Sequence, residues 1–102
     1  KMQINVVFRH MESSKALREY AEKKLERVRA SGEKIIEIEV VYIQEKQDFI
    51  VEFLANFQGH TLKVTERDGS AFAATDLAID KFNRQLHRIQ DRSRDRKHAP
   101  SI

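Results

Sequence analysis

Between Gln3 and Phe8, Ile4, Val6 and Phe8 fall on one side of an extended chain and Gln3 and Asn5 on the other. That period of two predicts a half-buried strand over Met2–Phe8. Ser13 or Ser14 then offers a hydroxyl to an otherwise unpaired N–H at a helix start. Leu17, Ala21, Leu25 and Val28 follow at helical spacing, and Gly32 suits the left-handed position after the helix end. From Ile35 the period returns to two, with Ile36, Ile38, Val40 and Tyr42 on one face and Glu37 and Glu39 on the other. The polar stretch Gln44–Asp48 predicts a turn. Phe49–Phe57 predicts a third strand with Val51, Phe53, Ala55 and Phe57 on one face. Gln58-Gly59 marks a tight turn, and His60–Glu66 a fourth strand with Leu62 and Val64 inward. Asp68, Gly69 and Ser70 end the sheet and cap a second helix, with Phe72, Thr75, Ala78, Ile79, Phe82, Leu86 and Ile89 on its buried side. No apolar face continues beyond Gln90, which predicts a fraying, solvated end. The chain therefore divides into an α+β domain over residues 1–92 and a basic, flexible tail over 93–102.

The order β-α-β-β-β-α constrains the topology. A strand–helix–strand unit favours parallel first and second strands through a right-handed crossover. Short turns make strands two to four an antiparallel meander. Each helix has one apolar stripe, so both lie on the same face of the sheet. The expected fold is an α+β two-layer sandwich, two helices packed on one face of a four-stranded mixed sheet.

Composition narrows the chemistry. A chain of 102 residues has room for one core. No apolar run approaches the roughly 20 residues of a spanning helix, and the beginning lacks a signal-peptide pattern, so no membrane is implied and the cytoplasm is the expected compartment. With no cysteine there is no disulfide, thiolate zinc site or thiol nucleophile. His10, His60, His87 and His98 are scattered, none with a second ligand at metal-binding spacing. Ser13, Ser14 and Ser70 read as caps rather than nucleophiles, and no glycine-rich phosphate loop occurs. No metal, cofactor, small-molecule substrate or catalytic residue is implied.

The net charge of +3 is small, but its distribution is uneven. Residues 14–30 carry six bases against three acids and residues 70–102 seven against four, whereas residues 31–69 carry four against eight. Both helical segments are thus basic and the sheet segment acidic. On the first helix Tyr20, Lys23, Lys24 and Arg27 flank the apolar stripe on one side, and Arg18, Glu22 and Arg29 on the other. On the second, Lys81, Arg84, Arg88 and Arg92 fall within about 80° of one another, with Asp76, Asp80 and Asp91 on the adjoining flank. Two such ridges side by side would make one long positive surface suited to phosphates. The other reading is a solvated face laced by pairs such as Glu19–Lys23 and Asp80–Arg84. Tyr20 likewise has two readings, stacking on a base or packing at the core edge. Phe8, Phe53, Phe57, Phe72 and Phe82 sit at core-facing positions, so the sheet lacks the pattern of an RNA-stacking platform.

The stretch Ser70–Leu86, SAFAATDLAIDKFNRQL, resembles the second-helix signature of the ribosome hibernation-promoting factor and ribosome-associated inhibitor family. Ala16–Tyr20, after the strand that begins Met2-Gln3-Ile4-Asn5, is similar to its first helix, and the resemblance runs to about Arg92. It implies the same β-α-β-β-β-α fold. It also implies a non-enzymatic factor that binds the small ribosomal subunit and its rRNA in the channel of mRNA and tRNA, silencing translation under stress or in stationary phase. Matching positions assign rRNA contacts to Arg18, Lys24, Arg27, Lys81, Arg84 and Arg88; Lys23 and Arg92 rest on the helical-face argument. The length fits the short form, or the first domain of a long form with its dimerising domain absent. The chain ends in basic residues where some inhibitor-type members end acidic.

One feature of the sheet points elsewhere. Val7, Val41, Ile43, Ile50 and Leu54 fall on the face away from the helices, more apolar surface than a solvated face needs. The alternative function is therefore a protein-interaction regulator of the transcription or sigma-factor modulation type using that face, which also offers a surface for weak self-association.

Overall fold

The structure is a computed structural model that describes residues 3–29, 37–57 and 59–98. Gly32, Ile36 and Gln58, and the side chains of Arg29, Phe57 and Arg92, lie outside what it describes. Its elements are β1 (Gln3–Arg9), α1 (Lys15–Arg29), β2 (Glu37–Glu45), β3 (Asp48–Phe57), β4 (His60–Asp68) and α2 (Ala71–His98), in the order the periodicity predicts.

The sheet order is β1-β2-β3-β4. β1 runs parallel to β2, with Val6 opposite Val40. The remaining pairs are antiparallel, with Val40 opposite Phe53 and Phe53 opposite Val64. This row is the centre of the buried face, against which both helices lay their stripes: Leu17, Ala21, Leu25 and Val28 from α1, and Ala74, Ala78, Phe82 and Leu86 from α2. Phe53 and Phe82 meet edge to face with ring centroids 5.9 Å apart, a favourable arrangement of ring quadrupoles.

One polar pair enters this core. Tyr42 Oη and Thr75 Oγ1 lie 2.6 Å apart, both buried, and Thr75 Oγ1 donates to the carbonyl of Ala71 at 2.8 Å. A hydroxyl has one proton, so Tyr42 donates to Thr75. The relay runs from β2 through Thr75 to the first turn of α2, and burial pushes the Tyr42 hydroxyl pKa up.

Local signals set the element ends. Ser14 Oγ accepts from Leu17 N at 3.2 Å, and Ser70 Oγ accepts from Ala73 N at 3.3 Å, so of the two candidate serines before α1 it is Ser14 that caps. Asp68 Oδ2 accepts from Ser70 N at 2.8 Å and fixes the entry to α2. Gly59, with φ of 78°, supplies the left-handed residue of the β3–β4 turn. At the β2–β3 turn, Arg67 of β4 reaches Glu45 at 3.0 Å and Asp48 at 3.3 Å. These bonds, that to Glu45 foremost, hold its pKa further above the usual arginine value.

Three expectations are corrected. First, α2 runs to His98 instead of fraying after Gln90. An apolar stripe is not needed to continue a helix already nucleated, and no glycine or proline interrupts the chain until Pro100. Second, Phe72 is 42% exposed rather than in the core. It lies about 60° around the helix from Thr75, at the edge of the stripe, where its ring meets Tyr20 edge to face at 5.1 Å. Third, the outer sheet face is less apolar in effect than its composition. Val41 is buried and Ile43, Ile50 and Leu54 half-buried, leaving Val7 as the exposed large hydrophobic there among the described residues. Their cross-strand neighbours cover them: Val41 lies between Val7 and Glu52, and Leu54 between Glu39 and Lys63.

Candidate nucleic-acid interface

The surface of the helical layer is built by the flanks of two amphipathic helices, and their relative placement decides which charges meet. The flank of α1 carrying Tyr20, Lys24 and Arg27 faces α2. The flank of α2 turned toward it is the acidic one. Lys24 Nζ lies 3.7 Å from Asp76 Oδ1, and Tyr20 Oη donates to the same oxygen at 2.6 Å. Lys24 also stands over the Tyr20 ring, 5.3 Å from its centroid. Tyr20, Lys24, Phe72 and Asp76 thus form a clasp that ties α1 to α2. The bond to Asp76 is the main cause of a raised Tyr20 pKa, since the carboxylate favours the protonated hydroxyl. Of its two readings, Tyr20 adopts the packing one.

Lys81, Arg84 and Arg88 point away from the clasp. Lys81 lies 3.4 Å from Glu66 of β4, which places this ridge on the far flank of α2. The single positive surface expected from two adjacent ridges is therefore not what forms: an acidic seam separates them. Their separation follows from the placement of the helices, because Asp76 and Asp80 occupy the flank that packing turns toward α1.

The remaining candidates differ in freedom. Arg18 is half-buried with its guanidinium 5.6 Å from the Phe8 centroid, on the side of α1 turned toward β1. Lys23, Arg27, Arg84 and Arg88 are exposed. Among the described residues none of these four makes an ion pair, so their charge is available to an outside partner. Sequence reasoning identified the cations and placed Asp76 and Asp80 on the adjoining flank of α2, but not the pairing of Asp76 with Tyr20 and Lys24 of α1. Among the described residues no cluster of His, Asp and Glu could hold a metal ion. No helix there is long and apolar enough to cross a membrane.

This fold, with an extended second helix and exposed cations on both helices, defines a class of α+β domain with a charged helical layer. Residues 4–94 match the family described as sigma 54 modulation protein / S30EA ribosomal protein, and the chain belongs to that family. It is 31% identical over 91 residues to the ribosome hibernation promoting factor of Pseudomonas putida, covering 89% of each chain. Against the protein of the same name from Salmonella typhimurium it is also 31% identical, covering 89% of this chain and 96% of that one. Among solved structures, the ribosomal subunit interface protein of Coxiella burnetii superposes with a TM-score of 0.81 at 27% identity, over 88% of this chain and 99% of that one. The N-terminal domain of Thermus thermophilus Protein Y gives 0.77 at 30% identity, over 86% and 99%. These bear out the family resemblance and the expected fold.

Proposed function

We propose that the protein is a ribosome hibernation factor that binds the small ribosomal subunit through its rRNA and occludes the mRNA and tRNA channel, silencing translation under stress or in stationary phase. It acts by occupation, without catalysis. The observation that carries the reading is the set of exposed cations that make no ion pair among the described residues, Lys23 and Arg27 on α1 and Arg84 and Arg88 on α2. Family membership and the names of the relatives support the ribosome as partner.

Roles within the predicted set then divide. Arg84 and Arg88 make the principal phosphate contacts, with Lys23 and Arg27 engaging a second stretch of backbone across the seam. Lys24 and Lys81 already have carboxylate neighbours and contribute by exchanging them for phosphate. Arg18 contributes least, being drawn toward Phe8. Arg92 keeps the role that the helical-face argument assigns it from the sequence. Guanidinium forks suit phosphate oxygens in pairs.

The test is co-sedimentation with small subunits on sucrose gradients. Binding should fall steeply between about 50 and 200 mM salt, as expected when phosphate contacts release counterions, and mRNA or tRNA should displace the protein. Binding indifferent to both salt and competitor would overturn the proposal. The same gradients report whether ribosome dimers form.

A further inference from the structure

Below the clasp the seam between the helices opens into a groove of about 390 Å³, lined by Lys24, Arg27 and Val28 of α1 and by Ile79, Asp80, Asn83 and His87 of α2. Its volume lies within the range of about 300–1,000 Å³ typical of small-ligand sites. Val28 and Ile79, 3% and 9% exposed, give it an apolar floor. Asp76, Asp80, Asn83 and His87 follow one another at i, i+4, i+7 and i+11, the spacing of a helix-packing seam. Such a seam is ordinarily apolar or closed by pairs between the helices. Here only its first member is closed, by the clasp. Among the described residues Arg27, Asp80, Asn83 and His87 have no side-chain hydrogen-bond or ion-pair partner. The groove therefore offers an apolar floor, one carboxylate, one amide, one imidazole and a cationic wall.

Resting on the reading of this surface as RNA-binding, we infer that the groove receives one unstacked guanine base of the bound RNA. Single-stranded bases are recognised by insertion over apolar or aromatic surface and by hydrogen bonds to their Watson–Crick edge. Guanine is the base whose edge presents two adjacent donors, N1–H and the N2 amine. An ionised carboxylate is an acceptor with two oxygens, so Asp80 matches that edge and leaves adenine unmatched. Asn83 offers the amide for the neighbouring O6, and His87 an imidazole of the kind on which bases stack. Lys24 and Arg27, across the groove, meet the phosphates flanking the base. A carboxylate on a surface that binds a polyanion is otherwise unfavourable, and this recognition gives Asp80 a use.

The test measures binding of uridine hexamers carrying one central guanine, inosine or adenine, by fluorescence anisotropy at fixed salt, beside co-sedimentation with small subunits. The intact protein should prefer the guanine hexamer over the adenine one by about tenfold or more, as a bidentate base contact provides. Inosine, lacking the N2 amine, should fall between them. Asp80→Asn should abolish the preference by weakening the guanine complex, and Asp80→Glu should retain part of it. Asp80 is exposed, so thermal unfolding of both variants checks that the fold is unchanged. If Asp80 is only a surface charge, Asp80→Asn strengthens binding to all three hexamers alike, which would overturn the inference. Binding to small subunits with no preference for guanine would overturn it while leaving the RNA-binding reading intact. Failure to bind either hexamers or subunits would refute both.

Discussion

On the flank of α2 that faces α1, Asp76, Asp80, Asn83 and His87 succeed one another every three or four residues, whereas the flank turned toward β4 and solvent carries Lys81, Arg84 and Arg88. The first flank is short-range chemistry: a carboxylate fastening two helices and a row of groups able to read an edge. The second is long-range chemistry: charge displayed on a rigid rod. A helix keeps the two apart because flanks of an α-helix differ by only a few residues in sequence yet face different neighbours. The difference teaches that net charge by segment is a poor guide to a surface. Both flanks belong to one basic segment, and the packing of α1 decides which one stands alone.

The comparison is broken most directly by reversing the free flank. Arg84→Glu combined with Arg88→Glu should weaken binding to small subunits by about a hundredfold or more, since phosphate contacts become repulsions. Both residues are exposed, so stability should stay within about 0.5 kcal/mol of the original, checked by urea unfolding. If the double variant still binds normally, the free flank is not the phosphate-binding one.

The fastened flank responds differently. Asp76→Ala removes the shared acceptor of Tyr20 and Lys24, and should cost about 1 kcal/mol of stability in the same unfolding experiment, because the partners are partly solvated. It also frees Lys24, so the slope of log affinity against log salt should steepen, each added phosphate contact being worth about one unit. A loss of stability with no change of slope would show that the clasp only holds the helices together.

The smallest expected effect is on pH. The hydroxyls of Tyr20 and Tyr42 both have raised pKa values, the first chiefly through its bond to Asp76 and the second through burial. The unfolded chain loses those protons first, near pH 10. The stability they contribute is therefore whole below about pH 10 and declines as pH rises through the folded values. The Tm should be level from about pH 7 to 9 with respect to these groups and fall above about 10. Tyr42→Phe should show a shallower fall, and an unchanged slope would locate the effect in other groups.

The strands and caps were legible because their causes are local. Alternation in Ile38, Val40 and Tyr42 and in Val51, Phe53 and Ala55 set the faces, and the outward positions of Val41, Ile43, Ile50 and Leu54 followed from the same register. Ser14 and Ser70 cap where short polar residues precede an apolar stripe. The cations of the proposed interface were equally legible as a helical stripe. Phe72 was misread because a residue at the margin of a stripe is buried or exposed according to what packs beside it. The length of α2 was misread because a helix propagates without an apolar face once its first turns are anchored.

By itself the amino-acid order determined the β-α-β-β-β-α succession, the inward face of each strand, the helix starts and the family resemblance, because periodicity and capping act over a few residues. Only the tertiary structure decided that Asp76 would meet Tyr20, across 56 positions, and Lys24, that Arg67 would close the β2–β3 turn, and that an acidic seam would part the two basic ridges. Those outcomes depend on how the two helices lie side by side on the sheet, a geometry set by the whole core.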